Sequence, residues 1–289
     1  MRYLYDIIGI RMLCEIPFPV VIKKESKDFL QEGNAVEDID INFCFHPVET
    51  LESLPDNGVW NINQYYVEDP CKKRIYFCPS RDQKPYARIT WQNDKLISCY
   101  YVNDKSSYLG YSHNICDLIG LEMLLLTYNG LLLHSSFIRW NGQGILFSAP
   151  SGTGKSTQAD LWMKYEQAEI INGDRAGLRK LEDGWAAFGL PYAGSSGIYR
   201  NESAPVTAIV VLRQAKENQI RPLGPAEAIR YLYPEITIHQ WDKDFVDQAM
   251  DLLTDLLFHV PVYLLECLPD QGAVELVKHT IFKSEKKGG

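Results

Sequence analysis

Residues Gly144–Trp162, GILFSAPSGTGKSTQADLW, decide the fold of the second half of this chain. An apolar run, Ile145–Phe147, leads into a loop of small residues, and a helix-like segment follows Lys155. The loop matches the phosphate-binding pattern GxxxxGK[ST] except at its first position, which is Ala149. The alternative is a flexible Gly/Ser turn that carries a lysine by chance. The apolar entry and the helical exit favour the phosphate loop.

Each residue type in this loop has a physical role. Gly152 and Gly154 let the backbone N–H groups converge on phosphate oxygens, and the helix that follows adds its positive N-terminal end. Lys155 can reach the β- and γ-phosphates, and Ser156 can bind Mg²⁺. We therefore expect ATP, or another nucleoside triphosphate, to bind here with Mg²⁺. The predicted nucleotide-binding residues are Ser151, Gly152, Thr153, Gly154, Lys155, Ser156 and Thr157.

Composition excludes some classes of protein and limits others. The 289 residues leave room for two domains, and the net charge of -8 argues against broad nucleic-acid binding. Seven scattered cysteines without a CxxC pair suggest reduced thiols and a cytoplasmic protein. The most apolar segment, 115–134, is interrupted by polar and charged residues, so no membrane span is expected.

The pattern of the chain changes near residue 110. Residues 1–110 contain short alternating segments, such as 38–45 and the hairpin-like 86–102, and predict a strand-rich N-terminal domain. Residues 111–289 mix strand and helix patterns, and a turn at Asn141-Gly142 predicts a hairpin whose second strand enters the loop. The predicted fold class is α/β, with a P-loop domain over 111–289 preceded by the strand-rich domain.

Four further residues are candidates for chemistry. Asp174 ends an apolar stretch after the loop's helix, where a base or a metal ligand would lie, although a turn aspartate has the same pattern. His134 lies on the strand paired with the loop's strand, although such a histidine is also common in a core. Arg200 and Glu202, in the stretch 193–205, could contact phosphate and metal, although a surface loop has the same composition.

The order of these motifs resembles one family. The sequence runs HSS, a hairpin, PSGTGKS, a helix, GDR, a glycine-rich segment and APVTAIVVL. It is similar, over roughly residues 130–280, to the kinase domain of the HPr kinase/phosphorylase group within the phosphoenolpyruvate carboxykinase-like superfamily. The nearest resemblance is to divergent members, some of which phosphorylate free serine or hydroxyls of peptide precursors. The resemblance implies a mixed, largely antiparallel sheet.

The resemblance also implies roles for individual residues. Lys155 matches the phosphate lysine, Ser156 the metal-binding hydroxyl, and His134 a histidine close to the transferred phosphoryl group. Asp174 matches the second of two paired aspartates, but Gly173 stands where the first would be. One carboxylate must then act as base and metal ligand, or Glu202 must help. The family's signature for a protein substrate is not recognisable, so HPr is not the expected acceptor.

The expected activity is a kinase that transfers the γ-phosphoryl group of ATP to a hydroxyl of a peptide, a protein or a small metabolite such as serine. Asp174, assisted by His134, would accept the proton, Arg200 would stabilise charge, and Ser156 with Asp174 or Glu202 would hold Mg²⁺. The N-terminal domain would bind the acceptor by elimination, and the chain could form a homo-oligomer. The alternatives are a nucleotide-binding regulator without activity, a carboxykinase-like enzyme, and a phosphorylase or pyrophosphate-using enzyme.

Overall fold

A computed structural model describes residues 1–31, 38–61, 64–69, 72–110, 118–192 and 194–282. It divides the chain into two compact units, Met1–Leu121 and Glu122–Gly289. The sequence places the boundary between residues 110 and 111. Residues 111–117, which adjoin this predicted boundary, lie outside the described part. Five of the seven cysteines are described and all five are free thiols.

The first unit consists mainly of strands. Its strands are β1 Arg2–Ile7, β2 Ile10–Glu15, β3 Leu30–Gln31, β4 Ile41–Val48, β5 Val59–Asn61, β6 Gln64–Asp69, β7 Lys72–Phe77, β8 Ala87–Asn93 and β9 Leu96–Val102, and its short helix α1 is Lys24–Lys27. They form one sheet in the order β3-β1-β2-β4-β9-β8-β7-β6-β5. The β2–β4 and β4–β9 pairs are parallel, and the other pairs are antiparallel. The predicted hairpin over 86–102 is the β8–β9 pair.

The second unit alternates strands and helices. Its strands are β10 Gly130–Trp140, β11 Gln143–Ser148, β12 Glu169–Asn172, β13 Arg175–Leu181, β14 Gly184–Phe188, β15 Ser203–Gln214, β16 Gln219–Pro222 and β17 Val262–Cys267. Its first helix, α2 Leu121–Thr127, starts at the last residue of the first unit. The other helices are α3 Lys155–Glu166, α4 Pro225–Leu232, α5 Lys243–His259 and α6 Gln271–Phe282. Asp270 caps the start of α6, because its carboxylate accepts from the Ala273 N–H at 3.0 Å.

Two long strands organise the second sheet. β10 pairs with β13 over its first half and with β11 and β12 over its second half. β15 begins beside β14 and continues in parallel between β11 and β17. The remaining pairs are antiparallel. The structure therefore confirms the α/β class and the mixed, largely antiparallel sheet.

Helices cover both faces of this sheet. Leu146 of β11 packs on the face covered by α4 and α5, whereas Ile145 and Phe147 pack on the face covered by α3 and α6. This alternation follows from the two-residue period of a strand. It fixes β11 between two cores, so the loop that leaves its end starts from a rigid element. No helix in the described ranges is long and apolar enough to cross a membrane.

Candidate functional site

The loop between β11 and α3, residues 149–154, is called the glycine loop below. Gly152 has a φ of +79° and Gly154 a φ of +118°, conformations that side chains with a Cβ rarely adopt. A Cβ added at either glycine would meet no atom within 4 Å. The backbone here is therefore open to close approach by a ligand.

Several backbone N–H groups without partners lie where the glycine loop meets α3. In the described part of the chain, no partner accepts from the N–H groups of Gly152, Gly154, Lys155, Ser156 or Thr157. The first N–H groups of a helix have no partner within the helix, and its dipole adds positive charge at the same end. The arrangement suits a multiply charged anion.

Lys155 adds a full positive charge to these donors. It is buried, and its Nζ donates to the carbonyl oxygens of Ala149 at 2.7 Å and of Pro150 at 3.4 Å. Burial lowers the pKa of Lys155, and the nearby carboxylates of Glu235 and Asp174 oppose that shift. The ammonium group thus lies within the loop itself, with two carboxylates close enough to influence it.

Asn172 holds the turn that carries Asp174. Its fully buried amide donates from Nδ2 to the carbonyls of Leu190 and Tyr192, both at 2.9 Å. Its Oδ1 accepts from the backbone N–H groups of Asp174 at 2.9 Å and Arg175 at 3.0 Å. All four bonds are made by one side chain, so Asn172 fixes two segments at once. The sequence analysis did not identify this role.

The carboxylate of Asp174 is available to bind a ligand or a metal ion. It lies 3.7 Å from Arg175 Nε, it is one-third exposed, and it accepts no hydrogen bond within the described residues. The backbone carbonyl of Asp174 accepts from the Ser135 N–H at 3.1 Å, and Ser135 pairs with Ser148, the last residue before the glycine loop. The structure thus brings Asp174 and the glycine loop together.

His134 has a partner that sequence reasoning missed. Its Nδ1 lies 2.7 Å from Oε2 of Glu235, whose side chain is only 9% exposed. Glu235 ends a 3₁₀ turn after α4, and the bridge between Ile236 and Leu133 brings it to β10. Glu235 is 80 residues beyond Lys155 in sequence, and no local pattern links the two.

Arg200 and Glu202 lie away from the glycine loop. Arg200 is 3.8 Å from both Glu169 and Glu202, and Glu202 also pairs with Arg139. In the β10–β11 register Arg139 pairs with Gly144, whereas the glycine loop follows Ser148. Four strand positions correspond to about 13 Å. The structure therefore does not bring the predicted charge-stabilising arginine or the predicted metal ligand Glu202 to the glycine loop.

Gly173 has a steric explanation. A Cβ at this position would lie 2.1 Å from Oγ and 2.6 Å from Cβ of Ser196. A Cβ at Gly194 would lie 2.6 Å from Cβ and 2.7 Å from Cγ of Asp174, so the backbone of Gly194 lies close to that side chain. The turn beginning at Gly194 therefore fills the space that a side chain at position 173 would need; Ala193, which precedes it, lies outside the described part.

A magnesium ion would find few protein ligands here. No cluster of three or more His, Cys, Asp or Glu side chains that could hold a metal occurs among the described residues. Ser156 is exposed, and its hydroxyl and the Asp174 carboxylate carry the oxygen chemistry that Mg²⁺ prefers. Mg²⁺ in phosphate sites commonly takes one or two protein oxygens and completes its shell with phosphate and water, so this pair fits such an ion.

Comparison with known proteins supplies a family. The model for the family described as "SynChlorMet cassette protein ScmC" matches residues 117–268, just over half of the chain. The chain belongs to the ScmC family. The match to ScmC covers the glycine loop, Asp174, His134 and Glu235. No curated protein matches.

One solved structure that matches this ScmC-family chain is the Hpr(Ser) kinase/phosphatase from Coxiella burnetii. The identity is 12%, the alignment covers 53% of this chain and 98% of that chain, and the TM-score is 0.33. An overlap this low carries no information about the activity of the ScmC-family chain.

Proposed function

We propose that the protein binds ATP with Mg²⁺ at the glycine loop and transfers the γ-phosphoryl group to a hydroxyl. One observation carries this proposal. A buried ammonium group, Lys155, lies beside backbone donors without partners and close to the unbonded carboxylate of Asp174. A nucleotide polyphosphate needs the first two, and the third can serve the metal or the acceptor.

Each residue of the site would have a separate role in the transfer. The backbone from 149 to 157 and Lys155 would hold the β- and γ-phosphates and neutralise charge that develops in a loose transition state. Ser156 and Asp174 would hold Mg²⁺, which supplies positive charge at the phosphate oxygens. Asn172 would keep Asp174 in place. The acceptor class remains the one predicted from the sequence, a hydroxyl of a peptide, a protein or a small metabolite.

The first unit offers a place for an acceptor. It contains a cavity of about 390 Å³ whose lining includes Lys84, Tyr86, Lys105 and Tyr108. The two tyrosine rings lie 5.4 Å apart, and Lys105 Nζ is 6.0 Å from the Tyr108 ring centre. A cavity of this volume is large enough for a small ligand or for side chains of a peptide. The acceptor-binding role of this unit stays a prediction.

A nucleotide-binding regulator without activity is the second candidate. The observation that favours it is the filled space at Gly173, because Ser196 leaves no room there for a second carboxylate. Such a protein would bind ATP and release no product. The two candidates share the glycine loop and differ only in turnover.

The test is phosphoryl transfer from radiolabelled ATP with Mg²⁺ to a panel of serine, threonine and serine-containing peptides. Lys155→Ala and Asp174→Ala are measured beside the wild type, and Lys164→Ala, an exposed lysine on the same helix, is the matched control. The kinase proposal expects transfer that both site variants reduce at least about 100-fold and the control does not. Binding of ATP without transfer to any acceptor would favour the regulator.

A further inference from the structure

The structure contains a carboxylate–histidine pair next to the glycine loop that the proposed mechanism has not used. Residues 236 and 237 continue beside β10, with a bridge from Ile236 to Leu133 and a bond from the Thr237 N–H to the Leu132 carbonyl at 3.0 Å. This pairing fixes the backbone on which Glu235 stands. Glu235 is thereby held next to His134, the following residue of β10.

The pair determines which nitrogen of His134 carries hydrogen. An ionised carboxylate can only accept, so at 2.7 Å from Oε2 of Glu235 the Nδ1 atom must be the donor. In the neutral ring Nε2 is then unprotonated and can accept. Within the described residues Nε2 makes no hydrogen bond, and the His134 side chain is 31% exposed. A ligand could reach this nitrogen.

A hydrogen bond places the pair at the same site as the phosphate donors: Ser148, the last residue before the glycine loop, donates from Oγ to the His134 carbonyl at 3.1 Å. The carboxylates of Glu235 and Asp174 both act on Lys155, which lies in the glycine loop. The site therefore holds two carboxylates, Asp174 and Glu235. The second comes from the turn after α4 and not from position 173, where Gly173 stands. Glu235 is committed to His134, whereas Asp174 accepts no hydrogen bond in the described part.

We propose that Glu235 is a positioning residue that holds His134 with Nε2 ready to take the acceptor's proton, which leaves Asp174 free for Mg²⁺. The inference rests on the proposed function. In the step, the acceptor oxygen bonds to the γ-phosphorus, and its hydrogen moves to Nε2 of His134. The bond from the γ-phosphorus to the bridging oxygen breaks, and its electron pair leaves with ADP. Proton transfer to a positioned base typically contributes 10²- to 10⁴-fold in rate.

The first experiment reads the tautomer of His134 directly. Long-range ¹H–¹⁵N spectra of the ¹⁵N-labelled full chain distinguish the two ring nitrogens, and His134→Gln assigns the signal. We expect the wild type to carry hydrogen on Nδ1, and Glu235→Ala to lose that preference. Asp255→Asn is the matched control, since it removes a carboxylate that lies 3.5 Å from another histidine, His259. An unchanged His134 tautomer in Glu235→Ala would overturn the positioning role.

The second experiment asks whether Glu235 acts through His134. Loss of the partner that orients a metal-binding histidine typically costs 10- to 100-fold, and we expect the same range for a histidine that acts as a base. Glu235→Ala should therefore lower kcat by about that factor and leave the KM for ATP within about twofold. The double variant with His134→Gln should be no slower than His134→Gln alone. Multiplying effects would overturn the proposal, because they would mean that the two residues act separately.

A more conservative substitution at position 235 tests the same proposal if Glu235→Ala does not fold. Glu235→Gln retains size and an acceptor oxygen, so we expect it to keep the tautomer and still lower kcat about tenfold through loss of charge. Transfer at the wild-type rate in both Glu235 variants would refute the base assignment and leave the kinase proposal standing. Absence of transfer in the wild type would refute both.

Discussion

Adding a methyl group at Gly173 tests the packing that explains the missing carboxylate. Gly173 does not have a positive φ, so alanine can adopt its backbone conformation. In an open position, Gly→Ala of this kind stabilises a protein by about 0.4–1 kcal/mol, because the unfolded chain loses freedom. At position 173, however, the new Cβ would lie 2.1 Å from Oγ of Ser196.

The magnitude follows from that distance. Non-bonded heavy atoms pack best at about 3.5–4.0 Å, so Ser196 must move by more than about 1 Å. Overpacking of this size costs about 1–3 kcal/mol, and we expect Gly173→Ala to lower the free energy of unfolding of the second unit by that amount. Ser196→Gly removes the obstructing side chain. In that background Gly173→Ala should be neutral or stabilising.

The assay is hydrogen exchange of the slowest amides in β10 and β11, because these report the stability of the second unit separately from the first. The four proteins of the cycle are the wild type, the two single variants and the double variant. The expected coupling between positions 173 and 196 is about 1–3 kcal/mol. A stabilising effect of Gly173→Ala in the wild-type background, or a coupling below about 0.3 kcal/mol, would refute the packing argument.

Three further predictions concern the surroundings of the site. Asn172→Ala removes the four hydrogen bonds of a buried amide and should lower the free energy of unfolding by about 2–4 kcal/mol. Hydrogen exchange of the same amides measures this loss, and a loss below about 0.5 kcal/mol would contradict the role of Asn172 in holding the turn. Arg200→Ala should change kcat by less than about twofold, because its two ion pairs are long and exposed; a 100-fold fall would return Arg200 to the site. Burial alone would raise the pKa of Glu122, but the hydrogen bond from His239 and the charge of His239 lower it below its ordinary value of 4.5. The ionised Glu122 therefore stabilises the fold above that pH, and this stabilisation is lost as pH falls below it. Glu122→Gln should therefore lose less stability than the wild type between about pH 5 and pH 3. Exchange measured at the two pH values would show this, and equal losses would contradict the reasoning.

Local signals in the sequence predicted much of the second unit. The turn at Asn141-Gly142, with φ of +50° and +78°, joins β10 and β11 as expected for a two-residue hairpin. The glycine loop lies between a buried strand and a helix, as its pattern requires. These features depend on residues close together in the chain, so a pattern of a few positions is enough to find them.

The parts of the site that depend on distant contacts could not be predicted in this way. Glu235 reaches His134 only because residue 236 pairs with residue 133, and a glutamate after a short helix carries no sign of that pairing. Arg200 and Glu202 showed the converse. The composition of the stretch 193–205 suggested contact with phosphate and metal. However, β15 starts at the end of the sheet opposite the glycine loop, since Gly144 pairs with Val206 and Ser148 with Val211.

Calorimetric titration of the wild type and Lys155→Met with ATP, ADP and AMP in the presence of Mg²⁺ tests the central claim most directly. If the glycine loop and Lys155 bind the β- and γ-phosphates, ATP and ADP should bind and AMP should bind at least about 10-fold more weakly. A charged hydrogen bond contributes about 1.5–3 kcal/mol, so Lys155→Met should weaken ATP binding about 10- to 100-fold and leave AMP binding unchanged. Equal affinities for ATP and AMP, or an ATP affinity that Lys155→Met does not change, would contradict the account.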